Sequence, residues 1–184
     1  MKSATTKSLL ALAGFGLATA VVAVRGARNS PAGRSKAWYA RLDKPGFTPP
    51  KPVFPVVWTG LYALIAWSGW RIWQAEDSPE RSRALQLWAA QLATNAKWSK
   101  LFFERHRPDL ALLDSLVLEW EIANYILTAR KVDRAAAGAF IPYLAWVGFA
   151  TVLNAEIARR NPALSSRLFA ALADIVPGAR HSPA

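Results

Sequence analysis

The chain has no cysteine in its 184 residues and only two histidines, His106 and His181. A disulfide framework and a thiolate metal centre are therefore excluded. Two imidazoles so far apart in sequence form no ligand cluster, and no metal is expected. Acidic residues are also scarce: 12 Asp and Glu stand against 23 Lys and Arg, for a net charge of +11. Nucleic acid is a common partner of so basic a chain. No basic helix or aromatic RNA-binding sheet motif accompanies the charge, so no nucleic acid is expected. Nor does any nucleophile–base pair stand out, which argues against conventional hydrolysis or group transfer and leaves no catalytic residue to name.

What the chain does have is apolar length. Hydrophobic residues make up 53%, nine of them Trp, and the cations cluster between apolar runs. Crossing about 30 Å of hydrocarbon takes roughly 20 such residues as a helix. Five stretches qualify: residues 8–24, 53–73, 84–103, 109–128 and 135–158. They predict an all-α bundle of five transmembrane helices over residues 1–160. The first stretch also has the charged start and short apolar centre of a cleaved signal peptide. The lack of a clean small-residue cleavage site before Arg25 and Gly26 favours a retained helix.

Orientation follows from the loop cations. Eight lie on the side of the N-terminus and thirteen on the side of the first loop and the C-terminus, with Lys97 and Lys100 inside the third stretch. The excess predicts an N-terminus outside and a C-terminus in the cytoplasm. Residues 161–184 read as a cytoplasmic tail. Within it, 164–176 is open between a short interfacial helix, with Leu168, Leu172 and Val176 at helical spacing, and disorder.

Helical spacing then groups the polar and aromatic residues. Trp58 and Tyr62 share one face. Asn95, Trp98 and Phe102 form a second stripe, and Trp146, Ala150, Leu153 and Asn154 a third. An Asn facing lipid is costly, so Asn95 and Asn154 should turn inward and carry Trp98 and Trp146 with them. The expectation is a cavity walled by indoles with a few amide groups, suited to flat apolar ligands. Two blander readings stand beside it. Tryptophans near span ends belong to interfacial belts, which is the expectation for Trp67, Trp70, Trp73 and Trp88, and the two asparagines could simply join helices.

Ordered motifs run along the chain. They begin with Trp38-Tyr39-x-x-Leu42-x-Lys44-Pro45-x-Phe47-x-Pro49-Pro50 and Val57-Trp58-x-x-Leu61-Tyr62. Gln91-Leu92-Ala93-x-Asn95-x-x-Trp98-Ser99-x-Leu101-Phe102-Phe103 and Ala111-Leu112-Leu113-Asp114 follow. Pro142-Tyr143-Leu144-Ala145-Trp146 and Phe149-Ala150-Thr151-x-Leu153-Asn154 close the series. Over roughly 38–162 this resembles the TspO/MBR family of tryptophan-rich sensory and translocator proteins. The resemblance implies an integral, multi-pass protein of a bacterial-type inner membrane that forms a homodimer. It also implies a porphyrin as ligand, with no tightly bound cofactor, at Trp38, Trp58, Tyr62, Asn95, Trp98, Tyr143, Trp146, Ala150, Leu153 and Asn154. Its role would be sensory or transport-type. Two alternatives remain: light-dependent porphyrin degradation, as some family members resemble photo-oxidases, and ion-coupled export. The sequence departs from the animal proteins at Ala155, where the sterol motif has Tyr, and at Leu110, where the drug pocket has Trp. A milder departure is Ala66, where glycine is usual.

Charges inside the spans are a larger departure. Folding spans three and four as a hairpin about residues 105–107 places Lys100 near Asp114 and Lys97 near Glu119. Pairs of matched depth are expected there, each relieving about 3 kcal/mol for a lone central charge. The alternative is a polar path that includes Glu121, on the face of Asp114. The proline-rich segment before span two cannot be helical and reads either as a cap over one mouth of the bundle or as a rigid connector.

Overall fold

The computed structural model describes residues 2–29 and 35–164. Among these the chain is helical and without strands. The order is α1 (Lys2–Asn29), α2 (Lys36–Arg41), α3 (Val53–Gln74), α4 (Pro79–Ser99), a π-helical turn (Lys100–Glu104), α5 (Pro108–Ala129), α6 (Arg134–Gly138) and α7 (Ile141–Arg160). Three segments are both long and apolar enough to cross a membrane: 6–29, 53–74 and 134–160. α4 and α5 match them in length, at 21 and 22 residues, but their interior charges dilute the apolar character. The tail helix expected over 164–176 falls outside the described residues, apart from Leu164.

Local chemistry sets the helix boundaries. α4 starts five residues before the expected span because Ser78 caps it, accepting from the Arg81 N–H at 3.1 Å, with Pro79 in the first turn. Proline suits that position, since its missing N–H would have no partner there. The last expected span is in fact two helices. Asp133 caps α6 by accepting from the Ala135 and Ala136 N–H groups at 2.8 and 2.9 Å. α6 ends after one turn, and Pro142 sits in the first turn of α7, where it removes no helical hydrogen bond.

The long helices alternate in direction, so their connections gather at two ends. At one end lie the α3–α4 turn, the α5–α6 turn and the start of α1. Ser8 donates to Gln74 at 2.7 Å, and the Trp70 indole donates to the Ser8 carbonyl at 3.1 Å. The Arg71 guanidinium grips Asp133 at 2.6 Å. Deeper in, the Ser68 hydroxyl donates to the Ala136 carbonyl at 2.7 Å, so the Tyr125 phenol 2.6 Å away must be the donor to Ser68. These buried bonds fix α3 against the α5–α6 turn.

α1 packs into this bundle. At Gly69 three helices converge. A Cβ there would lie 2.6 Å from Trp88 Nε1 and 2.7 Å from the Phe15 ring, so only glycine fits. Phe15 and Trp88 meet edge to face at 4.7 Å, and Trp88 donates to the Ile65 carbonyl at 2.8 Å. Trp88 is thus a core residue, 6% exposed, and not part of an interfacial belt. The early start of α4 is the reason, since it places Trp88 nine residues, or about 14 Å, into the helix. Trp67 and Trp73 are exposed and Trp70 half-buried, as an interfacial position would have them.

At the other end the 35–52 segment folds across the bundle. Ser35 donates to the Phe103 carbonyl at 2.7 Å, and the Lys44 ammonium donates to the carbonyls of Tyr39 and Leu42 at 2.9 and 2.7 Å. Asn161 clasps Asp43, donating to its carbonyl at 2.9 Å and accepting from its N–H at 3.1 Å. The segment therefore caps this mouth, with its own Tyr39, Leu42 and Pro45 buried.

Candidate ligand site

Below this cap, α3, α4 and α7 point aromatic and amide groups at one another. The Tyr62 phenol donates to Asn95 Oδ1 at 2.8 Å, and Asn95 Nδ2 donates to the Tyr143 phenol at 3.0 Å. One side chain from each of three helices thus forms a continuous polar chain. Asn95 and Tyr143 are buried and Tyr62 is half-buried. Trp58 stacks on Tyr62 at 5.3 Å and meets Tyr143 edge on at 6.1 Å. One turn nearer the cap, Phe54 meets Trp146 at 5.9 Å, and Trp146 leans on Phe149 at 5.4 Å. Phe149 in turn touches Phe47 of the capping segment at 6.4 Å. α3 and α7 therefore face each other through rings.

Trp98 occupies the next level. It stacks on Phe102 at 5.1 Å, and Trp38 meets Phe102 edge on at 5.5 Å. Leu153, Ala111 and Ile157 pack into the same cluster. The Trp98 indole nitrogen is buried without a hydrogen-bond partner, an unusual state for an N–H in a folded interior. Trp38 also lies flat on His106 at 4.3 Å. His106 holds a left-handed backbone, φ 52°, which reverses the chain between the π-helical turn and α5.

Of the ten ligand-site residues expected from the sequence, Trp58, Tyr62, Asn95 and Tyr143 form the polar-aromatic centre. Trp146 adjoins it, with Ala150 half-buried one turn further along α7. Trp38, Trp98 and Leu153 belong to the cluster under the cap. Asn154 serves the neighbouring helix. With its amide assigned by the hydrogen-bond network, it donates to the Pro108 carbonyl at 3.2 Å and accepts from the Leu112 N–H at 2.9 Å. It lies eleven residues along α7 from Tyr143, about 16 Å, so the two asparagines do not act together. Phe54 and Phe47 complete the ring wall although no polar partner singles them out in the sequence. Phe54 is legible only as the residue four before Trp58.

The intramembrane charges pair differently from expectation. Lys97 meets Asp114 at 2.6 Å, while Lys100, Glu119 and Glu121 make no ion pair among the described residues. Neither Lys100–Asp114 nor Lys97–Glu119 forms. The chain reverses at His106, within the expected turn, and the nine and eight residues on its two sides set position 97 opposite 114; the expected pairs needed a turn centred one to two residues later. One carboxylate oxygen of each of Glu119 and Glu121 is buried without a hydrogen bond.

The family model for TspO/MBR matches residues 9–160, from within α1 to the end of α7. A tryptophan-rich sensory protein of Cereibacter sphaeroides is 40% identical over 124 residues, 67% of this chain and 77% of that protein. Protein CrtK of Rhodobacter capsulatus is 34% identical over 156 residues, 84% of this chain and 95% of that protein. The human translocator protein is 33% identical over 131 residues, 70% of this chain and 78% of that protein. With the membrane-length helices, the capping segment and the ring-lined interior all inside the matched region, the chain belongs to the TspO/MBR family and is an integral membrane protein.

Proposed function

We propose that this protein binds porphyrins between α3, α4 and α7 and serves as their membrane sensor or carrier. The observation that carries the reading is the Tyr62–Asn95–Tyr143 chain framed by Trp58 and Trp146. A tetrapyrrole needs flat aromatic walls for stacking and a few polar groups to orient it. Ring contacts between α3 and α7 separate more readily than interlocked backbones, so a planar ligand has a route between Trp58 and Tyr143. The unpartnered Trp98 N–H offers a donor to an acidic ligand edge. Among the described residues no histidine lies within a long helix, which favours metal-free porphyrins over haem.

In this reading α4 and α5 also cross the bilayer. The alternation of the five long helices supports it, because the cap, the turn at 105–107 and the end of α7 all lie at one end. The cation excess at that end would place it in the cytoplasm. The exposed apolar face of α5, with Leu116, Val117 and Trp120, meets lipid or a second copy in a homodimer.

Titration of purified protein with protoporphyrin, read by tryptophan quenching and the porphyrin absorbance band, tests the proposal. Saturable micromolar quenching that weakens about tenfold in Asn95→Leu is expected, the worth of one lost buried polar anchor. Absence of quenching in both detergent and lipid overturns it.

A further inference from the structure

An apolar groove lies apart from the ring-lined centre, at the end of the bundle opposite the cap. It has a volume of about 570 Å³ and runs between α1 and the Trp73–Trp88 edge of α3 and α4. Its floor is the tight contact of Phe15, Trp88 and Gly69. Gly14 and Ala18 form its α1 wall, and a Cβ added at Gly14 would meet nothing within 4 Å. Among the described residues Lys7 is the one charged residue lining it. Lys7 stands about two turns above Gly14, is exposed and makes no ion pair among the described residues. Trp73 at the rim is exposed, and Trp70 beside it anchors the start of α1.

We infer that this groove holds one anionic phospholipid, with an acyl chain along Gly14 and its phosphate beside Lys7. The volume lies within the range of small-molecule sites. The groove opens outward beside the exposed Leu10, on a helix long and apolar enough to cross a membrane, so hydrocarbon is the available filler. The order along its axis is that of a lipid: apolar floor, small-residue wall, tryptophan rim and then a cation. A lone ammonium at the headgroup level selects for negative charge. Wedging α1 away from α4 at this end while the helices close at Gly26–Ser99 near the other would let the lipid set the tilt of α1.

Native mass spectrometry of the full chain, released from micelles doped with phosphatidylglycerol or phosphatidylcholine of matched acyl chains, tests this. One retained phosphatidylglycerol per protomer is expected, favoured over phosphatidylcholine by about fivefold, the worth of one surface cation. Lys7→Gln should abolish the preference while leaving residual binding of both lipids. Gly14→Leu should fill the groove and remove the retained lipid. Its side chain enters open space, so folding is preserved, and an unchanged porphyrin titration would verify that. Equal retention of the two lipids by the wild type, or undiminished retention by Gly14→Leu, overturns the inference. Neither result bears on the porphyrin site.

Discussion

Replacing Lys97 by glutamine should destabilise the protein far more than replacing Asp114 by asparagine, although each change breaks the same ion pair. The two partners sit in unequal surroundings. The Lys97 side chain is 57% exposed and Asp114 only 3%, and the two meet at 2.6 Å. Asp114 Oδ2 is already buried without a partner. Without Lys97, the buried carboxyl has lost its counter-ion, at a cost of about 3 kcal/mol on membrane insertion scales. Without the Asp114 charge, the ammonium of Lys97 extends on its four-carbon stem toward the headgroups. That loss should be about 0–1 kcal/mol, the worth of an exposed pair. The difference of about 2 kcal/mol is more than a tenfold ratio in unfolding equilibrium. Unfolding in mixed micelles, followed by circular dichroism, measures it, and the double variant should match Asp114→Asn alone. Equal losses in the two single variants, or a larger loss in Asp114→Asn, would refute the assignment of Asp114 as the dependent partner.

Three further outcomes follow from the packing. Gly69→Ala puts a methyl 2.6 Å from Trp88 Nε1 and should cost about 1–3 kcal/mol, seen as a lower Tm with Trp88 fluorescence shifted to the red. Burial would raise the Asp133 pKa, but the Ala136 and Ala135 N–H groups and Arg71 outweigh it and hold the carboxyl below its usual range. A depressed folded-state pKa stabilises above the unfolded value of about 3.9 and is lost as pH falls through the folded value. Asp133→Asn keeps a cap acceptor but loses the charge, so it should lower stability at pH 7 by about 0–1 kcal/mol, the worth of the half-exposed pair with Arg71, and its thermal unfolding should converge with that of the wild type as pH falls through the depressed folded-state value. His106→Val should cost about 1–3 kcal/mol because a β-branched residue resists the left-handed backbone. His106→Gly, relieved of that strain but deprived of the Trp38 stack, should lose less in the same thermal assay.

Much of the fold was legible from composition and period. Apolar length located the three segments able to cross a membrane, because the hydrocarbon thickness imposes a length that local sequence must meet, and apolar helical runs located α4 and α5 between the second and third. Helical spacing placed Trp58 with Tyr62 and turned Asn95 inward, because a lone amide cannot face lipid. The proline-rich segment was readable as non-helical, since proline has no N–H to give. What period does not contain is the vertical register between helices. That depends on where each helix starts and how each turn closes.

Three residues show the difference. Trp88 lies near a span end when α4 is taken to begin at 84, yet in the core once Ser78 caps the helix. Lys97 pairs with Asp114 because nearly equal lengths of chain run from each to the reversal at His106. Asn154 joins α5 and leaves Asn95 to bond Tyr62 and Tyr143. The sequence by itself determined an all-helical membrane protein of this family, with inward amides and indoles, because burial preference is local to each helix face. Only the tertiary structure decided which inward groups meet. Partnership is set by caps, turns and one tight glycine crossing, which act between segments distant in sequence.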